Sequence, residues 1–308
     1  MPAPAAPIDV DQPMLRNWAL PMPSPDSDKE GRGHVLVLGG SREMPGAVIL
    51  AATAALRAGA GKLTIATGSS VAQLVALALP EARVIGLAEA DTGGFTPAAV
   101  AMLDPLADKV TAMLIGPGMQ DEQATAALVH ALLPRLAGSD TSVVLDACAM
   151  GAILYPPEGA APFCFTQPVV LTPHAGEMAH LSGAAKDVIL ADPDRHALTA
   201  AARWNGVVAL KGARTVIAAP DGARWQHAGG NVGLATSGSG DTLAGIIAGL
   251  AARGATLAQA TCWGVALHAQ AGERLALRFG QLGYLARELP GEVPFLLDQI
   301  AGRHHRAD

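Results

Sequence analysis

The run Gly230-Asn231-Val232-Gly233-Leu234-Ala235-Thr236-Ser237-Gly238-Ser239-Gly240-Asp241-Thr242-Leu243-Ala244-Gly245 places a glycine-rich loop directly before a lone carboxylate and an apolar helix. Glycines at 238 and 240 free the backbone to turn its N–H groups inward on an anion, and the helix that follows adds the positive end of its dipole. A phosphate suits such a loop. A carboxylate beside it would repel that phosphate, so Asp241 needs a task of its own. Taking the proton from a hydroxyl that receives a phosphoryl group is one such task. Capping the helix is the other, since Asp is a common N-cap residue, and spacing alone does not separate them.

Four further segments could carry chemistry. Ile115-Gly116-Pro117-Gly118 is a strand followed by a rigid turn without bulky side chains, where backbone could approach a ligand. Asp146 stands at the end of Val144-Leu145, as a magnesium or hydroxyl contact or as a helix cap. In Leu171-Thr172-Pro173-His174-Ala175-Gly176-Glu177 a strand turns into a helix: Thr172 or His174 can cap it, and Glu177 suits its N-terminus. Lys211-Gly212-Ala213-Arg214-Thr215 sets a cation in a turn between two strands, either to attract phosphate or as a solvated hairpin lysine.

The elements that must position these residues alternate along the chain. Strands are expected at His34–Leu38, Lys62–Ala66, Arg83–Leu87, Ala112–Ile115, Ser142–Asp146, Val169–Leu171, Val207–Leu210, Thr215–Ala219 and Arg224–His227. Helices are expected at Gly46–Ala58, Val71–Leu79, Pro97–Ala107, Glu122–Leu136, Gly176–Leu181, Pro193–Trp204, Thr242–Arg253, Leu257–Phe279 and around Val293–Ile300. Repeated strand–helix units imply an α/β fold, a mostly parallel sheet covered on both faces. In such sheets ligands bind at the strand C-termini, where Gly39-Gly40-Ser41 also lies. Residues 1–30, rich in Pro, Asp and Ser, read as a mobile arm anchored near Trp18 and Leu20, and residues 31–308 as one domain.

Taken in order, these motifs resemble the NAD(P)H-hydrate dehydratases of the ribokinase-like superfamily, over roughly residues 28–290. The family loop reads Gly-Asn-x-Gly-Met-Ala-Thr-Gly-Gly-Ser-Gly-Asp-x-Leu-Ala-Gly; here Leu234 replaces the methionine and Ser237 one glycine. The start His34-Val35-Leu36-Val37-Leu38-Gly39-Gly40-Ser41, with Pro45-Gly46-Ala47 behind it, and the Thr-Pro-His-x-Gly-Glu run match as well, while Cys148 replaces the second acid of Leu-Asp-Ala-Asp. The resemblance implies a three-layer α/β/α fold and repair of the S form of hydrated NADH or NADPH, driven by ADP (or ATP in its place) with Mg2+. It assigns the base role to Asp241, substrate contact to Ala47, Gly116, Gly118, His174 and Asp241, and the nucleotide to Lys211, Gly212, Ala213, Arg214, Thr215, Asn231, Gly238, Ser239 and Gly240. Gly233 continues that wall, and Asp146 is a candidate metal ligand. It further implies a functional link to a separate NAD(P)H-hydrate epimerase and a homo-oligomer, up to a tetramer. A small-molecule kinase for a vitamin precursor and a nucleotide sensor without turnover share part of this pattern and remain the alternatives.

Composition narrows the classes. Half of the 308 residues are hydrophobic and 16% are charged, enough for a sizeable core. A net charge of −6 argues against general nucleic-acid binding. No run of about 18 uncharged apolar residues reads as a membrane span, and residues 1–20 lack a signal-peptide pattern, so a cytoplasmic protein is expected. Cys148, Cys164 and Cys262 form no C-x-x-C pair. Neither a P-loop nor a strand-borne G-x-G-x-x-G is present, which excludes those two nucleotide-binding designs.

Overall fold

Short apolar strands without polar interruptions can only be buried on both faces, and the computed structural model gathers such strands into one ten-stranded sheet between two helical layers. It describes residues 6–302 apart from Pro25, Asp91, Pro97 and Ala161. The strands are β1 (Ile8–Asp9), β2 (His34–Leu38), β3 (Lys62–Gly68), β4 (Arg83–Leu87), β5 (Ala112–Ile115), β6 (Ser142–Leu145), β7 (Val169–Leu171), β8 (Gly206–Leu210), β9 (Thr215–Ala218) and β10 (Arg224–His227). The helices are α1 (Gln12–Asn17), α2 (Pro45–Arg57), α3 (Ala72–Ala78), α4 (Ala98–Ala107), α5 (Glu122–Leu132), α6 (Ala175–Ser182), α7 (Lys186–Ala191), α8 (Pro193–Trp204), α9 (Ser239–Ala252), α10 (Leu257–Phe279) and α11 (Leu289–Ile300).

The sheet order is β1-β10-β9-β8-β7-β6-β5-β2-β3-β4. From β4 to β8 every pairing is parallel; β9 runs antiparallel to both β8 and β10. Side chains alternate across this sheet as a period of two requires. Val35 and Val37 join the core under α2, α9, α10 and α11, while Leu36 and Leu38 join the core under α4, α5, α6 and α8. The chain leaves β2 outward to β3 and β4, then returns to place β5 on the other side of β2. That reversal opens a crevice at the C-terminal ends of β2 and β5.

Packing of α9 on α2 carries the anion loop to this crevice. Gly245 and Gly249 let the two backbones touch: a Cβ at either would collide with the carbonyl oxygens of Ala51 and Ala55. Bulkier residues would push α9, and the loop before it, away from the sheet.

Several boundaries depart from expectation. The helix expected over Glu122–Leu136 is α-helical only to Leu132; Pro134, without an N–H, tightens the rest into a 3-10 turn, Leu133–Leu136. The short α7 and a 3-10 helix at Ala147–Ile153 were not legible as helices. Residues 8–20 are not a mobile arm. β1 pairs with β10, Leu15 is fully buried, and Trp18 stacks on Trp225 with ring centroids 5.6 Å apart. Trp263 Nε1 and Gln259 Nε2 both donate to the Trp18 carbonyl, at 2.9 and 3.1 Å. The segment holds because two tryptophans and a leucine replace the long apolar run that a docked element usually shows. Leu15→Ala should therefore lower stability by roughly 2–5 kcal/mol, the range for an emptied leucine site. Urea unfolding of that variant checks it; an unchanged midpoint would return these residues to the role of a loose arm.

Candidate active site

Loops from the C-terminal ends of β6, β7 and β8 meet the N-terminus of α9 around a cavity of about 820 Å³. Asp146, His174, Lys211, Gly212, Ala213, Thr215, Asn231, Ser239, Gly240 and Asp241 all line it. Glu177, His227 and His268 line it as well, and sequence reasoning assigned none of them to a ligand.

Asp241 sits in the first turn of α9, whose N-cap is Gly238. The helix begins at Ser239 rather than Thr242, so Asp241 does not cap it. Gly238 takes the left-handed turn, φ 85°, and no side chain caps the helix. The Ser237 departure is thereby accommodated, because the only described non-glycine residues with positive φ are Ala147 and Asn205. The Ser239 amide donates to the Thr236 carbonyl at 3.2 Å. Gly240, next in the turn, has no intrahelical carbonyl to reach, so its amide remains for an anion, while the Asp241 amide donates to its own carboxylate. Burial first, and the charge of Asp146 second, push the Asp241 carboxyl up to about 7, while Lys211 opposes the shift. A carboxyl poised there can accept a proton at neutral pH.

Lys211 is the hub. Its Nζ lies 3.8 Å from Asp146 Oδ1 and 3.7 Å from Glu177 Oε2, and 3.4 Å from where a Cβ on Gly240 would stand. Its backbone is fixed by a 2.8 Å hydrogen bond from its amide to the Pro173 carbonyl. Asp146 is buried and accepts a 2.6 Å hydrogen bond from the Thr172 hydroxyl. Ala147, which follows, holds φ 47°, a left-handed conformation that costs a residue with a Cβ roughly 1–2 kcal/mol. Ser239 Oγ pairs with His268 Nε2 at 2.9 Å, and burial lowers His268 to about 4, so this imidazole is neutral at pH 7.

His174 caps α6 through Nδ1, which accepts from the amides of Gly176 and Glu177 at 3.0 and 3.1 Å. Glu177 closes the capping box by accepting from the His174 amide at 2.7 Å. The ring's other nitrogen stays exposed at the cavity mouth, its side chain 59% accessible. Asn231 Oδ1 accepts from the Gly233 amide (2.9 Å) and the Tyr284 hydroxyl (2.8 Å), which fixes the amide's orientation. Its buried Nδ2 then has no partner among the described residues. A ligand acceptor would satisfy it.

Other sequence-assigned residues lie elsewhere. Gly116, φ 124°, packs so tightly on Asp146 that a Cβ would strike its carbonyl, and a Cβ on Gly118 would come within 2.8 Å of Ala47 Cβ. Ala47, Gly116 and Gly118 thus form one corner behind Asp146, outside the cavity lining. Gly238 lies against Leu50. Arg214 turns away: its guanidinium reaches Asp194 at 2.6 Å and Gln226, so a side-chain role in the nucleotide wall is corrected. Cys148 Sγ donates to the Gln120 carbonyl at 3.4 Å, and burial raises its thiol pKa, so it is no activated nucleophile. Among the described residues no three His, Cys, Asp or Glu side chains gather into a cation site, and no helix is long and apolar enough to cross a membrane.

The model of the NAD(P)H-hydrate dehydratase family matches residues 35–294. An ADP-dependent (S)-NAD(P)H-hydrate dehydratase of Xanthomonas campestris is 51% identical over 282 residues, 92% of this chain and 94% of that one. A bifunctional NAD(P)H-hydrate repair enzyme of Moorella thermoacetica is 40% identical over 91% of this chain, which spans 52% of that longer protein. The crystal structure of the Bacillus subtilis ADP/ATP-dependent NAD(P)H-hydrate dehydratase, grown with ATP/Mg2+, superimposes with a TM-score of 0.79 at 31% identity, covering 97% of this chain and all of that one. A ribokinase-like superfamily protein of Enterococcus faecalis gives 0.78 at 28% identity, with 96% of each chain covered. The three-layer architecture is therefore ribokinase-like.

Proposed function

Because the chain belongs to the NAD(P)H-hydrate dehydratase family, we propose that it restores NADH and NADPH from the S form of their hydrates at the expense of ADP, giving AMP and phosphate. The observation that carries the reading is Asp241, a carboxyl poised near neutrality beside the open Gly240 amide and the Lys211 ammonium. The first step moves the terminal phosphoryl group of ADP onto the ring hydroxyl; the hydroxyl oxygen forms the new P–O bond, AMP departs, and Asp241 takes the hydroxyl proton. In the second step the lone pair of the ring nitrogen drives out the phosphate, and loss of the neighbouring carbon's proton completes the double bond.

The chain's residues divide this work. The Gly240 amide, with Lys211, meets the charge on the group in transfer. Asn231, Thr215 and residues 211–213 line the place for the nucleotide, and the unpartnered Asn231 Nδ2 suits a ligand acceptor. His268 holds the Ser239 hydroxyl and so the first turn of α9. His174 faces the hydrated nicotinamide, and the corner of Ala47, Gly116 and Gly118 behind Asp146 is assigned to it by the family resemblance. Magnesium bound mainly by phosphates and water needs only one or two protein carboxylates, and Asp146 and Glu177 would supply them. Its chemistry would be neutralisation of phosphate charge. A separate or fused epimerase would supply the S form from its R counterpart, in keeping with the bifunctional relatives. We also take the location as cytoplasmic.

Incubation of the protein with hydrated NADH and ADP tests the reading: absorbance of the reduced ring should return, with AMP and phosphate released in equal amounts. Phosphate retained on an organic product would make it a kinase instead. His174 offers a finer test, since its ring both caps α6 and faces the substrate. His174→Asn keeps a capping acceptor and should raise the KM for the hydrate with stability little changed. His174→Ala should show the same KM shift and lose about 1 kcal/mol of stability as well. If His174→Asn leaves the KM unchanged, the residue is a cap and nothing more.

A further inference from the structure

At the far end of α9 from the anion loop, a second cavity of about 400 Å³ opens where the C-terminal ends of α2, α9 and α11 converge. The helix has 14 residues, so the two cavities stand roughly 20 Å apart. Arg16, Arg32, Arg57 and Arg253 line this hollow, from four separate segments, with Asp298 as its single acid. In a chain of net charge −6 such a concentration of cations calls for an explanation.

Neutralising helix ends accounts for part of it. Arg16 Nε donates to the Ile300 carbonyl at 2.8 Å, Arg32 to the Gly59 carbonyl, and Arg253 to the carbonyls of Ala58 and Pro21. Arg57 has no hydrogen-bond or ion-pair partner among the described residues, and Asp298 pairs with none of Arg16, Arg32 or Arg57. Both terminal nitrogens of Arg16 and one of Arg32 also remain for a ligand. Beside these forks the wall is apolar: Leu20, Leu56, Trp263 and Leu297.

We propose that this cavity binds a small organic phosphate, one phosphate group on a flat apolar body. Guanidinium forks match phosphate oxygens two at a time, and three of them carry more charge than a single carboxylate would need. The apolar wall takes the body of the ligand, and a cavity of this volume admits a molecule the size of a nucleoside monophosphate.

Phenyl phosphate is the probe, titrated by calorimetry into the full chain and into Lys211→Met, which weakens phosphate binding in the active-site cavity. Lys211→Met should retain one site whose affinity falls as NaCl is added. Adding Arg57→Gln to that variant should weaken the site about 10-fold or more, the scale of a charge-assisted contact. Arg57→Gln alone should leave dehydration of the hydrate and the melting temperature as they were. No binding in Lys211→Met, or equal affinity with and without Arg57→Gln, would overturn the proposal. Either result would leave the dehydratase reading untouched, because that rests on the other end of α9.

Discussion

Asp241→Asn should bind ADP as tightly as the wild-type chain and turn over the hydrate roughly 10²–10⁴-fold more slowly, the scale of a lost general base. The amide keeps the shape of the first turn of α9 and leaves Lys211 and the Gly240 amide in place, so the nucleotide loses nothing. The acceptor for the hydroxyl proton is gone. In the wild-type chain kcat/KM should fall as pH drops below about 7, where burial and Asp146 place the Asp241 carboxyl. That limb should vanish in the variant. Steady-state kinetics from pH 5 to 9, with ADP binding measured on the same preparation, decide the matter; near-normal turnover at pH 7.5 would remove Asp241 from proton transfer.

Stability should move the other way. The folded carboxyl holds its proton up to about 7, whereas an unfolded one releases it near 3.8. Below both values the two states carry the same proton and no cost arises. Between them the unfolded chain ionises first, and above about 7 the folded chain must bury the charge at full cost. The cost is on the order of 2–4 kcal/mol once partial access to the cavity is allowed for. Asp241→Asn should therefore stabilise the protein at pH 8 and scarcely change it at pH 4. Equal effects at both pH values would mean that the carboxyl is not strained by its site. A residue kept against such a cost serves chemistry rather than the fold.

How much of this was legible before the structure depends on distance along the chain. Gly238, Gly240 and Asp241 are neighbours in sequence, and backbone physics links glycine, helix start and anion within four residues. The strands were readable too, because unbroken runs such as Val35–Leu38 must be buried on both faces. Lys211 between Asp146 and Glu177 was not readable. Lys211 and Asp146 come directly after β8 and β6, and Glu177 from the first turn of α6 after β7, and only the parallel register of those strands brings the three together. His268 gave no signal beyond a single histidine in an alanine-rich helix; its role depends on α10 crossing the start of α9.

Two errors have a common cause. The first thirty residues were expected to be a mobile arm anchored near Trp18 and Leu20; Trp18 does dock on partners more than 200 residues away, but β1 and α1 ahead of it are in place as well, which prolines and acids do not announce. Arg214 was assigned to the nucleotide with the rest of residues 211–215, by the resemblance of that turn to the family's. Asp194 at the start of α8, which pairs with it, cannot be foreseen from the hairpin. Local patterns report backbone conformation well. They are silent about which distant side chain claims a charge.

Lys211→Met should weaken ADP binding about 10–100-fold, the loss expected for a charged hydrogen bond worth 1.5–3 kcal/mol. It should also shift the acid limb of the rate profile upward. Both effects follow from one position: Nζ stands between Asp146 and Glu177 and next to Gly240, and it is the cation that holds the Asp241 carboxyl down against burial and its acidic neighbours. Without it three carboxylates face an incoming phosphate with no counter-charge from the chain. Lys211→Arg retains the charge on a longer, planar group and should recover the position of the limb better than the affinity, since the geometry beside Gly240 is tight. A purely structural lysine would behave otherwise, costing stability while leaving ADP affinity and the pH profile alone. Calorimetry with ADP and rate profiles for the three proteins distinguish these cases, and an unmoved limb in Lys211→Met would break the electrostatic link between Lys211 and Asp241.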